Sequence, residues 1–212
     1  MAIIVFGGVK GGTAKTTSAV NCAVMCAAEG RSVLLVDADE NECANIWGMN
    51  RQEADLAPVV RYEIMRGKGI HRQLLDRQRE FDHVIVDCGG HDSAEFRIAL
   101  QTADQLIIPL RPNQTDVDTL LRLIDIIKQY AGEHTRLRVL MTQLRPFSEE
   151  AKRAFMAPVL APYPDIELMD TVTTIRSTYE LCQGNGTAVV EFAASREVAL
   201  KEMQQMHKEI WS

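Results

Sequence analysis

The chain has 212 residues, 46% of them hydrophobic and 25% charged, with a formal net charge of −6. That length suits one domain, read over residues 1–212, whose core is large enough to need neither a disulfide nor a structural metal. The acidic balance argues against constitutive nucleic-acid binding through the whole-protein field, and the longest apolar runs are strand-length, too short for a membrane span.

In chain order, Ile3 to Phe6 reads as a first strand that ends in Gly7-Gly8. Thr16 to Glu29 is Ala-rich with helical apolar spacing and is followed by Gly30, a helix stop signal. Ser32 to Val36 reads as a second strand, ending at Asp37. The stretch from Met49 to Gly69 has no clear period. His83 to Val86, Gln105 to Pro109 and Leu137 to Met141 are further strands, too uniformly apolar for a sheet with one wet face. Asp116 to Tyr130 carries Val117, Leu120, Leu121, Ile124 and Ile127 on one helical stripe. Ser148 to Leu160 reads as a helix capped by Ser148, and Ala193 to Trp211 as the closing helix. Strands alternating with helices predict an α/β fold, a mostly parallel twisted sheet with helices on both faces. The first strand opens at the N-terminus with no basic leader before it, so the expected location is cytoplasmic.

The chemistry starts at Gly7-Gly8-Val9-Lys10-Gly11-Gly12-Thr13-Ala14-Lys15-Thr16-Thr17, between the first strand and the first helix. Strand, glycine turn and helix N-terminus form the setting in which backbone N–H groups cradle a phosphate. Gly11 and Gly12 allow close approach to an anion. Lys15 is expected at the β- and γ-phosphates, Thr16 on Mg²⁺, and Thr17 nearer the α-phosphate. ATP and Mg²⁺ are therefore the expected cofactors, with Gly11, Gly12, Thr13, Ala14, Lys15, Thr16 and Thr17 as the phosphate-binding run. Val9 and Ala14 stand where glycines are usual. A methyl at Ala14 is tolerable if its φ is helical and costly if its φ is positive.

Lys10, five residues before Lys15, is not required by a simple P-loop. With it, the run resembles the deviant Walker A ATPases of the ParA/MinD family, whose motif is Lys-Gly-Gly-x-x-Lys-Thr-Thr. The resemblance implies a P-loop NTPase fold and a homodimer with ATP sandwiched at its interface. It implies that Lys10 crosses that interface to the partner's nucleotide, as an arginine finger does elsewhere. It also implies nonspecific DNA binding by the dimer, nucleoid association, and a centromere-binding or other activator protein that stimulates hydrolysis. The absence of a helix-turn-helix segment looks like the small ParF-type partition members, and no membrane-targeting helix is evident.

Asp37 and Asp39 end the second strand, at the sheet edge where such folds bind ligands. By resemblance, Asp37 supports Mg²⁺ and Asp39 positions the attacking water, although Glu40-Asn41 replaces the family's Pro-Gln. Helix capping is the plainer reading of both. Asp87 ends a hydrophobic strand in a Walker B pattern and is the third Mg²⁺ residue. Gly90 follows in the position of the family's γ-phosphate switch, and His91 beside it reads as a surface loop histidine. Thr142 and Gln143 occupy the family's base-recognition position. Ile175-Arg176 through Tyr179 and Gly184 resembles its late segment.

Cys22 and Cys26 lie four apart on the first helix, but no nearby Cys/His pair completes a metal site, so they read as buried thiols. The basic stretch from Arg61 to Arg79 reads as a solvated face. Arg145, Lys152, Arg153, Arg176, Arg196 and Lys201 are candidates for a composite face in a dimer. Three functions remain open: a switch ATPase for plasmid or chromosome partition, a related ATPase assisting conjugation or DNA transfer, and a nucleotide-gated scaffold with little turnover.

Overall fold

The computed structural model describes residues 1–90, 92–145, 148–192 and 197–212. His91 and Arg196, singled out above, lie outside the described residues, as does the start of the expected closing helix at 193–196. Seven strands form one sheet: β1 (Ala2–Phe6), β2 (Val33–Ala38), β3 (Arg61–Ile64), β4 (His83–Cys88), β5 (Gln105–Leu110), β6 (Arg136–Leu144) and β7 (Ile166–Thr174). Their order is β3-β2-β4-β1-β5-β6-β7, and each pairing is parallel.

The helices are α1 (Lys15–Ala28), α2 (Cys43–Glu53), α3 (Ile70–Glu80), α4 (Ala94–Thr102), α5 (Gln114–Tyr130), α6 (Glu149–Leu160), α7 (Ser177–Asn185) and α8 (Glu197–Ile210). Because side chains alternate along a strand, β1 sends Ile3 and Val5 into one core and Ile4 and Phe6 into another. The first core is closed by residues of α3 to α6, including Leu74, Phe96, Leu120 and Met156. The second is closed by α1, α2, α7 and α8 through Val24, Trp47, Cys182 and Met206. Each fully buried aliphatic or aromatic side chain is worth about 1.5–3 kcal/mol, so the double layer is what the uniformly apolar strands supply.

Helix ends follow local chemistry. The end of α1 is a Schellman motif: Gly30, at φ 81°, donates to Ala27 O, and Arg31 donates to Cys26 O. Ser93 and Asn113 cap α4 and α5 by accepting from Phe96 N and Asp116 N, each at 3.0 Å. Ser148 precedes α6 but does not cap it as expected, because its hydroxyl donates to Arg145 O at 2.6 Å. The aperiodic stretch after Met49 holds the end of α2 and the short edge strand β3, while β7 was not foreseen.

Candidate nucleotide site

The sheet order reverses around β1, which sits between β4 and β5, so the C-terminal ends of β1, β2 and β4 converge there. They bring together the glycine loop, the Asp37–Asp39 turn and Asp87. A cavity of about 900 Å³ opens over the loop, floored by Gly11 to Ser18 and walled by Asp39, Gln143 and the Thr173–Arg176, Tyr179 and Gly184 segment.

Lys15 is buried, and its Nζ donates to Lys10 O at 2.8 Å, across the loop. Burial lowers its pKa, while Asp87 and Asp39 favour its charge. Thr16 Oγ1 donates to Asp87 Oδ2 at 2.5 Å. Asp87 Oδ1 is buried without a hydrogen-bond partner among the described residues. Burial pushes the Asp87 carboxyl up to about 8, with the Thr16 hydrogen bond opposing and Asp37 reinforcing the shift. A hydroxyl and an orphaned carboxylate oxygen beside a buried lysine are a donor set that suits an oxygen-loving divalent cation and its phosphates. The site therefore fits Mg²⁺ and a nucleotide, with Thr16 and Asp87 toward the metal and Lys15 toward phosphate.

Gly90 presses this arrangement together. A Cβ there would lie 2.5 Å from Gly11 N and 2.7 Å from Gly11 Cα, so only glycine lets the loop after β4 touch the phosphate loop. Ala14 takes the unfavourable alternative, with φ 70° at the start of α1. Left-handed backbone costs a non-glycine residue about 1–2 kcal/mol, partly offset by the extra chain entropy of glycine. Ala14→Gly should therefore raise unfolding stability by about 0.5–1 kcal/mol in a urea titration. Unchanged or lower stability would show that the loop holds Ala14 without strain.

Of the two acidic positions, only Asp37 reaches a helix N-terminus, while Asp39 holds a turn. Asp37 is buried; Oδ1 accepts from Asp39 N at 2.9 Å and Oδ2 from Asn45 N at 2.8 Å, which caps α2. Burial raises its pKa against these bonds and the nearby Arg66. Asp39 Oδ1 accepts from Asn41 N at 3.1 Å, and Asp39 lines the cavity. Sequence reasoning missed Arg66, which donates to Asp37 O at 2.5 Å and also to Asp39 O, tying the turn to the end of β3. Its only signal was a basic residue closing the aperiodic stretch.

Thr142 is placed against the phosphate loop. It is fully buried, and its hydroxyl donates to Thr13 O at 3.0 Å, so it fastens the phosphate loop to β6. Gln143, at φ 56°, donates to Gly12 O at 2.6 Å and remains on the cavity wall. The late segment walls the cavity through Arg176 and Tyr179, both bonded to Glu202 of α8.

Lys10 lies beside the loop with its ammonium 2.6 Å from Asp116 Oδ1. Asp116 is fully buried and also takes Arg111 at 2.9 and 3.1 Å. Burial raises the Asp116 pKa, but Arg111 and Lys10 outweigh it and hold the carboxyl below its ordinary value. Elsewhere the basic residues are mostly self-neutralised. Arg77 pairs with Glu63 and Glu80, Arg72 and Arg79 with Asp76. In the expected composite face, Lys152 bonds Pro112 O, Arg153 pairs with Glu149, Arg176 with Glu202 and Lys201 with Glu197. No helix of the described residues is long and apolar enough to cross a membrane.

Two family models match the chain: an AAA domain over residues 1–65 and ATPase MipZ over residues 41–141. The chain is 37% identical over 143 residues to the maintenance of carboxysome distribution protein A of Gloeobacter kilaueensis, covering 66% of this chain and 62% of that protein. The match thus spans under two thirds of that relative's length. Solved structures share the fold. Apo McdA from Cyanthece superposes with a TM-score of 0.79 at 16% identity, covering 99% of both chains. The MinD cell division protein of Aquifex aeolicus gives 0.73 at 17% identity, covering 99% of this chain and 98% of that one. The pNOB8 ParA bound to nonspecific DNA gives 0.70 at 14% identity, covering 99% and 96%.

Proposed function

As a member of the ParA/MinD family of deviant Walker A P-loop ATPases, the chain is one for which we propose a Mg-ATP-hydrolysing switch that dimerises around nucleotide and binds DNA nonspecifically. Lys15 and the loop N–H groups neutralise phosphate charge, and Thr16 and Asp87 hold the metal's shell. Mg²⁺ held there would neutralise phosphate charge. Asp39 orients the attacking water, and Asp37 keeps the turn that carries it. Lys10 serves the partner's nucleotide. A partner protein stimulates turnover. The cargo is DNA or a large protein body; the relation to a carboxysome distribution protein supports the second as much as the resemblance to partition ATPases supports the first.

The observation that carries this reading is Lys10: a lysine beside the phosphate loop whose side chain is still 30% exposed while its ammonium pairs with Asp116. ATP-dependent dimerisation, read by light scattering, tests it. Wild type should dimerise with ATP and Mg²⁺, and Lys10→Ala should bind ATP as a monomer. Equal dimerisation by both would remove Lys10 from the interface. DNA binding is tested apart, by ATP-dependent association with arbitrary duplex that weakens with salt.

The ion pair with Asp116 holds Lys10 on its own subunit, so dimerisation must break it. With Lys10 partly exposed, and Asp116 keeping Arg111 when Lys10 leaves, the pair is worth about 1 kcal/mol. Asp116→Asn should therefore lower the ATP-dependent dimer Kd about fivefold per latch released. A weaker dimer would make Asp116 part of the interface rather than a latch.

The second reading, a nucleotide-gated scaffold with little turnover, is favoured by the strained Ala14 beside Lys15. It predicts ATP-driven dimers whose phosphate release does not exceed that of Lys15→Ala, with or without DNA.

A further inference from the structure

The nucleotide reading leaves unused a polar cluster buried between α1 and α8. Cys22, Cys26 and His207 are each almost fully buried, yet a sulfur of each cysteine and a ring nitrogen of the histidine lie within 4.8 Å of one another. The two cysteines share a face of α1 because four residues separate them, and His207 arrives from the last turns of α8, 181 residues beyond Cys26. His207 Nε2 sits 2.9 Å from Glu29 Oε1, at the end of α1. Its Nδ1 faces Cys26 Sγ at 4.0 Å.

We propose that Cys22, Cys26 and His207 bind a single thiophilic metal ion that joins the C-terminal helix to the helix behind the phosphate loop. Two sulfurs and one imidazole are donors for soft or borderline ions such as monovalent copper or zinc, and not for Mg²⁺. The carboxylate of Glu29 accepts from the far ring nitrogen, which orients the ring and directs Nδ1 at the sulfurs; metal-binding histidines characteristically carry such a partner. Three converging donors satisfy three-coordinate monovalent copper. Zinc takes a water as its fourth ligand. Closing from 4.8 Å to the ~3.5–3.8 Å donor spacing of a bound ion needs movements of about 1 Å, within reach of side-chain rotation.

The protonation pattern agrees with that geometry. The Cys22 thiol donates to Cys26, and this bond, together with the one from His207, brings the Cys26 thiol down to about 6 despite burial. Binding displaces the Cys22 proton and the proton shared by Cys26 and His207, and no electron is transferred. A disulfide is not an alternative, since cysteines four apart on an intact helix hold their Cβ atoms about 5–6 Å apart, beyond the ~4 Å that the bond requires.

The experiment uses the full chain, purified under reductant, stripped with chelator and titrated separately with Zn²⁺ and Cu⁺ against chromophoric chelators. One equivalent should bind, and X-ray absorption of the loaded wild type should show two sulfur neighbours and one imidazole. An added oxygen with zinc and none with copper would distinguish the two ions. Cys22→Ala/Cys26→Ala should lose at least tenfold in affinity, and Glu29→Gln about tenfold. Cys182→Ala, another buried cysteine of the same core, should change nothing. ATP binding by each variant reports that it has folded. No uptake by wild type, or a metal bound only by nitrogen and oxygen, would overturn the proposal without recourse to any variant. So would undiminished uptake by the double variant.

Discussion

Lys15→Ala should bind ATP at least about 100-fold more weakly than wild type while unfolding no more readily. The two effects have a common origin. In the free protein Lys15 is buried with its ammonium on Lys10 O, and burial works against its charge. Alanine removes that cost, so apo stability in urea should hold or rise slightly. Binding loses charge-assisted hydrogen bonds to phosphate at about 1.5–3 kcal/mol each, and two of them amount to at least two decades in Kd. Titration with a fluorescent ATP analogue gives the affinity, and the denaturation curve of the same preparation gives the stability. Affinity within threefold of wild type would overturn the phosphate-loop reading. Weak binding accompanied by a large loss of stability would make Lys15 a structural residue. Lys10→Ala provides the contrast, since its ammonium lies outside the loop and should leave monomer affinity unchanged.

The strands and helices that bury continuous apolar runs or a single stripe were legible in the sequence, because period and burial report directly on neighbours. The sheet around β1 and the convergence of Lys15, Thr16 and Asp87 followed from a strand-loop-helix motif and a strand ending in acid. β7 was not legible: its Ile166–Thr174 segment mixes buried, half-buried and exposed positions without strict alternation in its first half and carries Glu167 and Asp170, unlike the central strands. The fate of Thr142 depended on a contact 129 residues away in the chain, which no local pattern encodes. The same holds for His207, whose partners Cys22 and Cys26 looked solitary in the sequence. Arg66 and Asp116 were visible as charges but not as positioning groups. Their role arises from which carbonyls and carboxylates the folded chain leaves beside them. Asp37 shows the converse: its place at a strand end was clear, but its two oxygens turn to backbone N–H groups of the following turn.

Arg51→Met should destabilise the protein by about 3–5 kcal/mol, the largest stability effect expected of a single side chain outside the apolar cores. Arg51 lies on α2 and is 3% exposed. Its fork takes both oxygens of Glu191 at 2.8 and 2.9 Å, Gly186 O at 3.0 Å and Pro58 O at 2.7 Å. Methionine fills much of the volume but removes the donors of two carbonyls and leaves the Glu191 carboxylate only its bond from Ala188 N, and the unmade bonds decide the sign. Arg51→Lys should recover little, because one ammonium cannot reproduce a planar fork to three acceptors. The loss should appear as a lower urea midpoint at unchanged slope. Against a typical total of about 5–15 kcal/mol, it leaves the variant folded but marginal. Arg51 does not line the nucleotide cavity, although α2 is tied to α7 by Gln183 to Cys43 O at 2.9 Å and Asn50 to Gly184 O at 3.1 Å. ATP affinity of the folded fraction should therefore stay within about threefold of wild type, and saturating ATP should restore part of the lost stability by mass action. A variant that kept wild-type stability but lost ATP binding would instead place the α2–α7 contact inside the binding event.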